Sequence, residues 1–267
     1  MKKLLMAILG LSLLTTQSCK NAPEGSPAEE MSIASDESGE KVLIRLKPKV
    51  GDKQQTLMTM EMDAKEGKAM KMNMSGKMDL EVASKEGDLF VYNMKYQSVK
   101  VNMDAGGMQF SYDSDKKDQD VMGSMVGKQF EPMLKNWMTL KMTDRGVVKE
   151  ISLKGVNSTK DLGDFGAISL PLPEGPVGVG DSWVSERPMD GMGVLKMKMT
   201  LKQITVDDVE ILTDGTLVDE KGANIGTFEG SYKLDRNSGL TKDGTMNMKI
   251  NTEDNDKVDM KINFKTL

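Results

Sequence analysis

Met70-Lys71-Met72-Asn73-Met74-Ser75-Gly76-Lys77-Met78-Asp79-Leu80-Glu81-Val82 places every apolar or small residue at an even position. Every polar residue falls at an odd one. Side chains alternate between the two faces of a β-strand, so this stretch makes a strand with one apolar face. A helix of the same sequence would scatter both sets around its circumference. Methionine takes the place that Val, Ile or Leu would normally hold on such a face.

The same period recurs outward from this segment. Met58, Met60 and Met62 alternate with polar residues, as do Leu195, Met197, Met199 and Leu201, and Val258, Met260, Ile262 and Phe264. One strand changes face: Phe90, Tyr92, Met94 and Tyr96 share a parity, whereas Val99, Val101 and Met103 take the other. A β-bulge near Gln97-Ser98 accounts for the switch. Lys85-Glu86-Gly87-Asp88, Ala105-Gly106-Gly107 and Asp214-Gly215 read as turns. The expected architecture is mainly β, an antiparallel curved sheet or open barrel from two similar halves. A short helical lid, 121–137, interrupts it: Val121, Met122, Met125, Val126, Phe130, Met133, Leu134 and Trp137 follow a three–four spacing. Asp118 or Asp120 caps this segment, and Pro132 is expected to divide it into two short helices.

Short motifs repeat between the halves. Val50-Gly51-Asp52 returns as Val179-Gly180-Asp181, and Asp144-Arg145-Gly146 is echoed by Asp235-Arg236-Asn237-Ser238-Gly239. Ser111-Tyr112-Asp113 is echoed by Ser231-Tyr232-Lys233. Duplication and recurrent turn chemistry both explain such echoes. The division expected along the chain is 1–18 signal peptide, 19–40 tether, 41–155 first half, 156–178 connection and 179–267 second half.

The amino terminus supplies an address. Lys2 and Lys3 precede an apolar run from Leu4 to Leu14, then Thr15-Thr16-Gln17-Ser18 and Cys19, the single cysteine. The run is too short to span a bilayer and fits a signal peptide. Thr16-Gln17-Ser18-Cys19 resembles the lipobox of bacterial lipoproteins, which implies cleavage before Cys19 and acylation of its thiol. Lys20, in place of Asp, favours the outer membrane. Residues Lys20 to Glu40 are rich in Pro, Gly, Ser and acid, a composition that resists folding and suits a tether. Loss of Lys2 and Lys3 from 36 basic residues, against 41 acidic, moves the formal charge from −5 to about −7. Nucleic acid is therefore not an expected partner. The expected contacts are a membrane, through the lipid anchor, and an apolar small molecule or an envelope protein.

Pro171-Leu172-Pro173 with Val177-Gly178-Val179-Gly180-Asp181-Ser182-Trp183, and Gly230-Ser231-Tyr232-Lys233-Leu234-Asp235, resemble an uncharacterised envelope lipoprotein family of Bacteroidota-type bacteria. The resemblance implies a fold similar to the curved sheets of lipoprotein carriers. It implies no activity and carries no functional residues over.

The chain has no histidine, and its one thiol is assigned to lipid. Ser–His–Asp and Cys–His nucleophiles and His-based zinc sites are thereby excluded. Asp113, Asp115, Asp118 and Asp120 lack the glycine and closing glutamate of a calcium loop. No glycine-rich stretch matches a phosphate-binding loop. No cofactor is expected and the protein is read as non-catalytic. The 25 methionines remain. They are core residues, or soft Cu(I) ligands, or an adaptable lining for an apolar ligand. The third reading names Met70, Met72, Met74, Met197 and Met199 on the sheet, with Met125 and Phe130 on the lid.

Overall fold

The computed structural model describes residues 39–65, 69–153, 170–189, 193–251 and 257–267. Cys19, the signal segment and most of the tether lie outside the described residues. Six strands form the first half: β1 (Lys53–Lys65), β2 (Met70–Glu86), β3 (Leu89–Ala105), β4 (Met108–Asp113), β5 (Met138–Thr143) and β6 (Val148–Leu153). A helix, α1 (Val121–Lys135), stands between β4 and β5. The second half contains β7 (Ser182–Met189), β8 (Gly193–Ile204), β9 (Asp208–Val218), β10 (Asn224–Asp235), β11 (Thr241–Asn251) and β12 (Lys257–Thr266).

All of these strands belong to one antiparallel sheet. Its order is β6-β5-β3-β2-β1-β12-β11-β10-β9-β8-β7, with β4 pairing off β3. The sheet is curved and not closed. Alternation decides which face turns inward. Met72, Met74 and Val82 of β2 are buried, as are Met60 and Met62 of β1, Leu195 to Leu201 at alternate positions of β8, and Val258, Met260 and Ile262 of β12. Burying a side chain of this size contributes roughly 1.5–3 kcal/mol.

Two apolar clusters fill the concave side. The first joins β3 and β5 to β8, β9 and β10, strands far apart in the sheet order, so the two halves fold face to face. The second gathers the methionines of β1, β2, β3 and β12 beneath Phe130 of α1. Met78, Met133, Met246 and Met248 pack against both.

The bulge expected in β3 is present. Lys77 pairs with Ser98 and Met78 with Tyr96, leaving Gln97 as the extra residue. The Gly87-Asp88 and Gly106-Gly107 turns also fall where the sequence places them. Asp214-Gly215 does not turn. It lies inside β9, where the Phe228 ring packs so close that a Cβ on Gly215 would sit 2.6 Å from it. A Cβ there would lie closer still, 2.0 Å, to the Lys196 carbonyl oxygen, so this glycine makes room for a neighbouring backbone as well as an aromatic ring. Pro132 does not divide α1 either, because it lies in the last turn. There it forfeits one hydrogen bond just before the helix ends, and the Asn136 N–H closes onto the Pro132 carbonyl at 3.0 Å. The N-cap is Asp120, whose carboxylate accepts the Gly123 N–H at 2.6 Å.

The halves repeat in hydrogen bonding as well as in sequence. The Lys49 N–H donates to the Asp52 carboxylate at 2.8 Å, and the Gly178 N–H to Asp181 at 2.8 Å. Gly51 and Gly180 have φ of 95° and 94°. Their N–H groups donate at 2.8 Å to Val82 of β2 and to Leu201 of β8. Val82 and Leu201 each return a bond of 2.9 Å, to the Asp52 and Asp181 carbonyls. The order β1, β2, β3, β5, β6 thus runs parallel to β7, β8, β9, β10, β11, with β12 inserted between the halves. The Ser111 and Ser231 echo has no such counterpart, since β4 branches from β3 while β10 lies within the main sheet.

Candidate ligand site between the halves

The strands leave one end of the folded sheet to be closed by chain outside them. Two extended segments, 41–49 and 170–178, cross it together as a strap. Val42 and Val177 exchange backbone hydrogen bonds at 2.9 and 3.0 Å. Leu46 donates to the Asp144 carbonyl and Lys47 to the Ser238 carbonyl, both at 2.7 Å. One segment therefore ties the β5–β6 turn to the β10–β11 turn, across the two halves. Arg45 holds the strap's second segment through the Pro173 carbonyl at 2.6 Å. Arg145 bonds the Leu172 carbonyl at 3.3 Å and Glu174 at 2.9 Å. The Trp183 indole donates to Pro171 at 2.8 Å. Glycine is required in both turns. A Cβ on Gly146 would meet the Leu170 carbonyl at 2.5 Å, and one on Gly239 the Arg45 carbonyl at 2.3 Å.

Beneath the strap lies a cavity of about 170 Å³. Its apolar wall comes from both halves and from the strap itself: Leu46, Leu80, Met142, Leu172, Leu234 and Leu240. Tyr92, Tyr232, Gln54 and Thr241 are its polar residues, and none of the described lining residues is charged. Most of that polarity is already satisfied. The Gln54 amide donates to the Thr241 carbonyl and the Thr266 hydroxyl, both at 2.9 Å. The Tyr232 hydroxyl donates weakly to the Met246 sulfur at 3.9 Å. Tyr92 differs. It is 2% exposed, and its buried hydroxyl has no hydrogen-bond partner. Such a group costs about 1–3 kcal/mol of desolvation. Burial pushes the Tyr92 phenol well above its ordinary range and that of Tyr232 up to about 12. Both are neutral donors at physiological pH.

A second concavity of about 480 Å³ borders the ends of β10, β11 and β12. Lys249, Asn251, Lys257 and Asp259 line it with charged and polar groups, beside Ile250 and Val258.

The methionines named from sequence sit elsewhere. Met72 and Met74 are buried in the second cluster and Met70 packs against it. Met197 and Met199 are buried in the first cluster. Phe130 stacks on Tyr112, centroids 6.2 Å apart, and Met125 is 57% exposed on the outside of α1. None of the seven lines the cavity beneath the strap. The second cluster does contain a cross-strand row in direct register, Met103–Met72–Met62–Met260–Met248. Its buried members carry no charged side chain. Among the described residues no group of three or more His, Cys, Asp or Glu converges. Asp113 and Asp115 instead build a turn, in which the Asp115 N–H and Lys100 hold the Asp113 carboxyl below its usual range. The tyrosines that do line the cavity carried a signal in the sequence. Tyr92 shares the inward parity of Phe90 and Met94 and so takes a polar tip into an apolar face. The strap carried none, because its role depends on which turns it meets.

Fold and site together define a curved, open antiparallel sheet with a largely apolar cavity between its halves. A family of unknown function, DUF6263, has a model that matches residues 87–159, a stretch that includes Tyr92 and Met142. No curated protein sequence matches the chain. Among solved structures the chain is similar to lipovitellin, in a study of its lipid–protein interactions, with a TM-score of 0.50 and 8% identity. The likeness covers 80% of this chain and 25% of that one, so the chain spans about a quarter of the neighbour's length. At that identity the likeness is one of fold.

Proposed function

We propose that this is a non-catalytic binding protein of the bacterial envelope, tethered through lipid on Cys19, that holds an apolar ligand between its two halves. The observation that carries the reading is the largely apolar cavity beneath the strap, open on one side at a half-exposed rim. An apolar cavity of about 150 Å³ is large enough to take up benzene. One of about 170 Å³ therefore suits a ring or a short acyl segment. A longer molecule enters if the strap lifts, which breaks its hydrogen bonds to the turns and exposes the buried Ile44, Leu46, Leu172 and Val177. The fold-level similarity to lipovitellin is consistent with this class of ligand.

Filling the cavity from its half-exposed rim tests the reading. Leu240→Phe should abolish uptake of a naphthalene-class fluorescent probe, with melting temperature held within a few degrees. Undiminished uptake in this variant would place binding elsewhere.

Cu(I) binding is the second reading, and the five-methionine row favours it. It ranks below the first because a buried cation there would lose its hydration beside no counter-charge. A Cu(I) titration under reducing conditions in which Met62→Leu and Met72→Leu bind as well as the parent protein would remove it.

A further inference from the structure

We infer that the Tyr92 hydroxyl is the recognition group of the cavity, and that the ligand is an apolar molecule bearing one uncharged hydrogen-bond acceptor, such as a ketone or ester oxygen. The inference rests on the cavity reading above and gives it a ligand chemistry.

Buried hydroxyls are almost always paired. Tyr92 lines the cavity; its hydroxyl is buried without a partner and has almost no surface open to the cavity, so a ligand acceptor meets it once a neighbouring side chain or the strap gives way. Phenylalanine would fill the same space without that cost, so a bare core gains nothing from the oxygen. A ligand acceptor supplies what is missing. The other cavity donors are engaged: Gln54 with Thr241 and Thr266, Tyr232 with the Met246 sulfur.

Charge decides the kind of acceptor. A carboxylate placed here would be desolvated with no Lys or Arg among the described lining residues to offset the loss. A neutral oxygen carries no such penalty. Burial keeps the phenol protonated, and it therefore donates.

Three probes of similar shape separate the possibilities: acetophenone, ethylbenzene and benzoate. The full chain carrying Cys19→Ala, which cannot be acylated at that residue, is titrated with each by calorimetry. Acetophenone should bind roughly tenfold more tightly than ethylbenzene and benzoate. In Tyr92→Phe the advantage over ethylbenzene should fall to less than about twofold, with ethylbenzene affinity unchanged and thermal stability equal or higher. Independently of any variant, the carbonyl stretch of bound acetophenone should shift to lower frequency than in hydrocarbon solvent.

Equal binding of acetophenone and ethylbenzene, or a preference that survives Tyr92→Phe, overturns the role of Tyr92 and leaves the cavity standing. Tighter binding of benzoate overturns the neutral-acceptor class. Failure of all three probes to bind overturns the cavity reading itself.

Discussion

Tyr96 and Tyr232 show how one residue couples the core to pH. Each projects an aromatic ring over a glycine of the neighbouring strand. A Cβ on Gly76 would lie 2.8 Å from the Tyr96 ring, and one on Gly244 3.0 Å from the Tyr232 ring. Glycine thus provides the space in which a large side chain is buried. Burial raises both phenols to about 12. Ionisation is easier in the unfolded chain, where tyrosine titrates near 10. The contribution of each residue is therefore intact below pH ~10 and is lost as pH rises towards about 12. The loss is on the order of 2–3 kcal/mol per residue. An alkaline titration followed by tyrosinate absorbance should show delayed ionisation that coincides with unfolding. Smooth ionisation near pH 10, with the sheet intact, would contradict this burial.

At the scale of elements, the repeated Val-Gly-Asp turn starts β1 and β7 and ties each to its neighbour. Asp181 is buried and accepts the Gly178 N–H, so its removal leaves a buried donor unpaired. Asp181→Ala should cost about 1–2 kcal/mol in denaturant unfolding. Asp181→Asn, which keeps an acceptor oxygen, should recover much of it. A variant as stable as the parent would mean that the turn is held by its backbone alone.

Strands, faces, the β3 bulge and the helix were legible because each writes a local period into the chain. Asp214-Gly215 misled because glycine serves two ends, a turn and a close approach. The sequence alone does not show that the Phe228 ring lies over Gly215. Pro132 misled because its effect depends on distance from the helix end. The methionine faces were legible as inward faces. Their separation into two clusters was not, since it depends on the curvature of the whole sheet and on where α1 rests.

At the scale of the molecule, two similar hydrogen-bonded halves meet around β12 and fold onto each other. Closing one end falls to the strap, whose two segments run through the tether-proximal residues and the connection between halves. On the proposed reading, ligand entry and the tether expected up to residue 40 join in one element: Val42, Arg45 and Leu46 belong to the strap, and Leu46 lines the cavity. The halves, not the helix, hold the site. The most direct test of this account is native mass spectrometry of the chain carrying Cys19→Ala, isolated without detergent from its own compartment. The prediction is a stoichiometric mass increment from an uncharged apolar molecule, absent in Leu240→Phe. A clean apo spectrum, with no uptake of added apolar ligand, would contradict it.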